Sequence, residues 1–207
     1  MTESMLGVLV FPEVEELDFV GPWELFGLWH AYGGGPRCRT IGTEPGPIRA
    51  RHGLRVVPDV EMAAAPSLTY LLVPGGAGAE AAAQDAAVTR YVARQAEAGA
   101  TLLSVCTGVR VLHAAGLLDG RRVTTHHTAL DDVRGWEGVT AVENKRYVRD
   151  GAVWTAAGIA AGLDLAMAVI AAEGGEAVAA RVRHEAEYTP VERHYGDEPQ
   201  RGDHDTA

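Results

Sequence analysis

Short apolar runs at residues 5–11, 69–73 and 101–105 each end in a turn and give way to a helical pattern. That alternation constrains the fold more than any other feature. Runs so short and so nearly continuous are expected of strands covered on both faces. After the first run, Leu17, Val20, Leu25, Leu28 and Trp29 recur every three or four positions. They predict a helix over 17–32 with Pro22 near its start, where proline is tolerated. Strands are predicted at 37–41, 54–57, 122–124, 145–148 and 152–155, the last two joined by the hairpin turn Arg149-Asp150-Gly151. Helices are predicted over 81–98, with Asp85 able to cap the inner portion and Gly99 as the stop, and over 109–115, 129–134, 160–173 and 176–187. Strands alternating with helices imply an α/β fold with a mostly parallel sheet and helices on both faces. Residues 1–189 read as one domain, and 190–207 as a flexible acidic tail without apolar periodicity.

Charge and cysteine usage exclude several function classes. The formal charge of −10 repels phosphate backbones and anionic lipid, so nucleic acid and membrane surfaces are not expected partners. The start, Met1-Thr2-Glu3-Ser4, carries an acid where a signal peptide carries Lys or Arg. The uncharged stretches around Asp164 contain a central carboxylate and glycines, which makes them a buried helix and not a membrane span. Two cysteines, Cys38 and Cys106, form no disulfide framework, and no Cys/His pair has zinc-finger spacing. A cytoplasmic location is expected, with no metal and no organic cofactor.

The chemistry expected of such a sheet lies beyond the carboxyl ends of its strands. Asp18, Gly75-Gly76 and Cys106-Thr107 all reach that edge. Cys106 stands between an apolar strand and a helix, where amide groups and the helix dipole favour an anion and are expected to lower the thiol pKa. The bland reading, a small buried apolar residue, stays open. Gly75-Gly76 could bring backbone amides to a reacting atom, as an oxyanion hole needs. Asp18, between Leu17 and Phe19, is either a helix cap or a buried acid with a raised pKa. Cys38, inside a strand pattern, reads as core.

Five motifs occur in order: residues 11–22 (Phe-Pro-Glu-Val-Glu-Glu-Leu-Asp-Phe-Val-Gly-Pro), Val73-Pro-Gly-Gly76, Ser104-Val-Cys-Thr-Gly108, residues 114–120 with Thr124-Thr-His126, and Gly158-Ile-Ala-Ala-Gly-Leu-Asp164. Together they resemble the ThiJ/PfpI superfamily, and within it isonitrile hydratases and the sensor domains of AraC-type regulators. The resemblance implies a flavodoxin-like (class I glutamine amidotransferase-like) sandwich, a homodimer and a small-molecule substrate. It makes Cys106 the nucleophile, Asp18 the acid that contacts it, and Thr107 the residue that holds water or the acid. Gly75 and Gly76 become the oxyanion loop. His126 and Ile159 fall in the wall of the site, with Asp164 as support. Aspartate at position 18, where many superfamily members carry glutamate, favours the hydratase branch. The implied reaction is attack of the Cys106 thiolate on an isonitrile carbon, with Asp18 as proton donor, then hydrolysis of the thioimidate to an N-substituted formamide.

The resemblance leaves other readings. His126 is either the partner of a Cys/His pair or a cap and wall residue of the next helix. The chain could be a stand-alone ligand or redox sensor, since an accessible low-pKa thiolate is readily oxidised. The regulators carry a further DNA-binding domain, and the acidic residues up to Ala207 lead to an expectation against DNA binding. A peptidase or glyoxalase-like hydrolase ranks third.

Overall fold

The computed structural model describes residues 4–190. The expected tail falls almost entirely on residues outside that range. The chain runs β1 (Met5–Val10), α1 (Glu16–Gly33), β2 (Arg37–Gly42), β3 (Ile48–Arg49), β4 (Arg55–Val56), β5 (Val60–Glu61) and β6 (Tyr70–Val73). It continues through α2 (Ala79–Gln84), α3 (Ala86–Glu97), β7 (Thr101–Val105), α4 (Val109–Ala114), β8 (Arg122–Val123) and α5 (Leu130–Arg134). The last elements are β9 (Thr140–Ala141), β10 (Tyr147–Asp150), β11 (Val153–Ala156), α6 (Ala161–Gly174) and α7 (Glu176–Ala186).

The central sheet has seven strands in the order β10-β11-β7-β6-β1-β2-β5. All neighbours are parallel except β10, which pairs with β11 as an antiparallel edge hairpin. β6, β7 and β1 lie at the centre, and their apolar side chains are almost wholly enclosed. This is why they read as unbroken apolar runs instead of alternating ones. The fold is the α/β sandwich expected.

Several local readings change. Asp85 does cap an inner portion, its side chain accepting from the Ala87 amide at 2.7 Å, but in doing so it divides the expected helix into α2 and α3. An aspartate so placed competes with the helix backbone for its own amides. Pro22 lies well inside α1, so the Asp18 carbonyl lacks its usual amide partner there. The apolar spacing of α1 also misplaces its buried face. Leu17 and Val20 are 39% and 42% exposed, while Asp18, Phe19, Gly21 and Pro22 are buried. The sequence pattern predicts only the second strand of the β3–β4 hairpin, and β5 and β9 are two-residue strands with no apolar signature.

Asp164, on α6, is 2% exposed and held by Arg146 through an ion pair of 2.5 Å, and the Tyr188 hydroxyl donates to its other oxygen at 2.7 Å. This pins α6 to the β10 hairpin and to the segment after α7. Removing one partner of a buried pair strands the other charge, at a cost of about 3–5 kcal/mol. Arg146→Met is therefore expected to lower the urea midpoint substantially with little change in slope. An unchanged midpoint would show that the pair does not support the fold.

Candidate active site

The site begins at the end of β7, where Val105 is extended and Cys106 turns sharply with φ +58°. A non-glycine residue in the left-handed region is uncommon, and such strain clusters at active sites. Residues 106–108 form one 3₁₀ turn that leads into α4. The turn presses against the end of β6 so closely that side chains are excluded. A Cβ on Gly108 would stand 2.1 Å from the Val73 carbonyl oxygen, and one on Gly75 2.5 Å from the Thr107 nitrogen. Both positions require glycine because the two strand ends nearly touch.

That closeness brings the candidate residues together. The Gly75 amide donates to Asp18 Oδ2 at 2.8 Å, and the Gly76 amide donates to Thr107 Oγ1 at 3.1 Å. Thr107 Oγ1 also lies 3.2 Å from the Gly76 carbonyl oxygen. Thr107 therefore fastens the glycine loop to the elbow and does not grip Asp18. The glycine amides expected to form an oxyanion hole are directed at Asp18 and Thr107. The amides that face the Cys106 sulfur are those of Thr107 and Ile159, joined by the Thr107 hydroxyl. The Cys106 carbonyl in turn accepts from Thr125 Oγ1 at 2.7 Å.

Asp18 is wholly buried in the first turn of α1, so it is the buried acid and not a cap. Burial raises its pKa from 3.8 to about 7, against the lowering effect of the Gly75 hydrogen bond. Glu15 pushes the same way as burial, while the Cys106 side chain and Arg51 favour the carboxylate. Asp18 Oδ1 is buried with no aligned hydrogen-bond partner. Cys106, 7% exposed, departs from the sequence expectation: burial, and then the neighbouring Asp18, raise its thiol to about 12. The Thr107 and Ile159 amides oppose that shift without reversing it. A helix of six residues behind a 3₁₀ turn supplies too little field to offset desolvation. Burial thus favours the neutral thiol over the thiolate.

His126 caps the turn that follows it, its Nδ1 standing 2.8 Å from Thr128 Oγ1 and accepting weakly from the Thr128 amide. Its ring packs on Gly158 beside Ile159, a wall position. Ile159 holds φ +47°, a strained conformation for a β-branched residue, and its side chain is partly exposed. Cys38 is half-buried against the core, its thiol raised by burial to about 12.

Two residues that sequence reasoning passed over complete the surroundings. Glu15, 5% exposed, is paired with Arg51 at 3.3 Å and with His52 at 3.2 Å. Glu15 looks like one of several surface acids in residues 13–18, and Arg51 sits in a hairpin turn without a motif, so neither carried a signal. Glu15, Glu16 and His52 place one ligand atom each within 4.8 Å of one another. Among the described residues this is the group with metal-ligand chemistry. Its members are engaged with one another and with Arg51, which supplies the cation: the His52 amide donates to Glu16 at 2.7 Å.

Comparison with known proteins agrees with this architecture. The DJ-1/PfpI family matches residues 6–172. The isonitrile hydratase of Pseudomonas putida is 35% identical over 90% of this chain and 79% of its own length. The HTH-type transcriptional regulator GbdR of Pseudomonas aeruginosa is 29% identical over 70% of this chain, a stretch that spans 40% of the regulator. The crystal structure of a ThiJ/PfpI family protein from Pseudomonas syringae superposes with a TM-score of 0.84 at 33% identity, covering 92% of this chain and 77% of that one.

A buried carboxyl whose pKa is raised stabilises the fold fully below about 4, and that contribution is lost as pH rises through about 7. Asp18→Asn, which cannot ionise, is thus expected to gain thermal stability over the parent at pH 8 and to gain less or none at pH 4.5. An equal difference at both pH values would show that Asp18 titrates normally.

Proposed function

The chain belongs to the DJ-1/PfpI family, and from that premise we propose that it hydrates a small isonitrile to an N-substituted formamide, using Cys106 and Asp18 as a single proton-sharing pair. The observation that carries this reading is the placement of Asp18: a wholly buried carboxyl held by the Gly75 amide at 2.8 Å against the Cys106 side chain, with one oxygen uncommitted and its pKa pushed up by burial. The similarity to an isonitrile hydratase supports it.

Above about pH 7 the pair holds one proton, resident on sulfur. As the sulfur bonds to the terminal carbon of R–N≡C, the Asp18 carboxylate takes the thiol proton and passes it to that carbon, giving the thioimidate Cys–S–CH=N–R. The carboxylate so regenerated takes a proton from water as the oxygen adds to the same carbon, and that proton goes to nitrogen. Collapse of the adduct breaks the C–S bond, returns a proton to sulfur and releases HC(=O)–NH–R. The amides of Thr107 and Ile159 stabilise the negative charge that gathers on sulfur in both steps. Thr107 holds the elbow against the glycine loop, whose Gly75 amide binds Asp18, and His126 and Ile159 line the site beside it. Each step uses only side chains, backbone amides, substrate and water.

The competing readings fare less well. A redox sensor needs an accessible thiolate, whereas Cys106 is 7% exposed and its burial disfavours the charged form. A peptidase or glyoxalase-like hydrolase built on a Cys/His pair requires an imidazole at the sulfur, and the groups that act on the Cys106 sulfur are Asp18, Thr107 and Ile159, with His126 turned to Thr128. The regulator-like ligand sensor is the strongest rival, supported by the similarity to GbdR. Retained binding of isonitriles without turnover would favour it.

We assign a homodimer to the outward face of α1, where Leu17 and Val20 stand exposed. No helix is long and apolar enough to cross a membrane among the described residues, and a cytoplasmic location fits the acidic surface.

Turnover of aliphatic and aromatic isonitriles is expected for the parent, with Cys106→Ala reduced to background and Asp18→Asn reduced about 10²–10⁴-fold. Because the working form has Asp18 ionised, kcat/KM should fall as pH drops below about 7. Full turnover by Cys106→Ala would end this reading. Val20→Asp is expected to shift the mass measured by light scattering from dimer to monomer, and an unaltered mass would place the interface elsewhere.

A further inference from the structure

The acid of the site does not stand alone. Glu15 is at the N-cap of α1 and Asp18 three residues on, and positions three apart share one helix face. Both carboxyl groups are shielded from solvent. Two carboxylates so placed resist ionising together unless a cation accompanies them. Arg51 is that cation, and it is bonded to Glu15, not to Asp18.

The backbone explains how Arg51 arrives there. The Arg51 amide donates to the Val14 carbonyl at 3.0 Å and the Glu13 amide to the Arg49 carbonyl at 2.9 Å. Val14 bridges to Gly76, and the Glu15 amide donates to the Gly75 carbonyl at 2.9 Å. A ladder of main-chain bonds thus runs from the β3–β4 hairpin through residues 13–15 to the glycine loop that holds Asp18. We propose that Glu15 and Arg51 are positioning residues that set the protonation of Asp18 in opposite directions, Glu15 favouring its neutral form and Arg51 its charged form, with the β3–β4 hairpin clamping the pair to the site.

This assignment rests on the reading of Asp18 as the proton carrier of the hydration. The groups that face Asp18 are Glu15 on its own helix, the Gly75 amide from the loop after β6, the Cys106 side chain from the elbow and Arg51 from the hairpin. Glu15 is further faced by His52, and the charges of Glu15 and Arg51 also reach His126 across the mouth. The His126 imidazole is lowered from its ordinary range, chiefly by burial and then by His127, with Arg51 adding to the fall and Glu15 opposing it.

The test is a titration of the Asp18 carboxyl itself, by isotope-edited infrared spectroscopy, with the band assigned by its loss in Asp18→Asn. Relative to the parent, the midpoint should fall by about one pH unit in Glu15→Gln, and rise by about half a unit in Arg51→Met, where solvent screens more. Shifts of the same sign in both variants, or no shift in either, overturn the proposal. Arg51 is half-exposed and His52 still faces Glu15 when Arg51 is replaced, so if Glu15→Gln does not fold, the Arg51→Met midpoint decides alone: a rise supports the proposal, and a fall or no change overturns it. The acid limb of kcat/KM for an isonitrile should move with these midpoints. Opposed midpoints without isonitrile turnover would sink the hydratase reading and leave the Glu15–Arg51 assignment standing.

Discussion

The hydrogen bond from the Gly75 amide to Asp18 joins positions 57 residues apart in the chain, and the site is organised around it. It exists because the loop after β6 and the elbow after β7 approach within a distance that only glycine permits at positions 75 and 108. The parallel register of β6 against β7 sets both strand ends at the same edge of the sheet. α1, delivered to that edge by β1, adds its first turn to the contact. One buried carboxyl therefore reads the relative position of three crossovers, and any shift among them changes its surroundings.

Desolvation has opposite consequences for the two reacting groups. It moves Asp18 into the range where a proton exchanges readily at neutral pH, and it moves Cys106 away from it. In the proposed hydration the two groups act as a pair, with one proton exchanged between them. On that reading, activation of the sulfur belongs to the encounter with substrate.

Much of the fold was legible because strands buried on both faces leave an unmistakable record. The runs around Leu71–Val73 and Leu102–Val105, with Cys106 and Gly75-Gly76 directly after them, identify the sheet edge and the elbow from residue types alone. What the sequence hid were quantities set by burial. The position of Cys106 before a helix suggests an acidified thiol, yet its enclosure outweighs the amides. The spacing of Leu17 and Val20 suggests core, yet both face outward because Asp18, Gly21 and Pro22 occupy the inner side of α1. Glu15 resembles its exposed neighbours Glu13 and Glu24 until the β3–β4 hairpin covers it. These are tertiary effects, created by segments far away in the chain, and no local pattern encodes them.

Ile159 carries a consequence of a different kind. A branched side chain held at φ +47° costs on the order of 1–3 kcal/mol relative to an unconstrained backbone, and glycine or asparagine would relieve it. A laboratory lineage selected for heat resistance alone would be drawn to this position. The relaxed loop would then be freer to turn its amide away from the sulfur, so robustness would be gained by loosening the surroundings of Cys106.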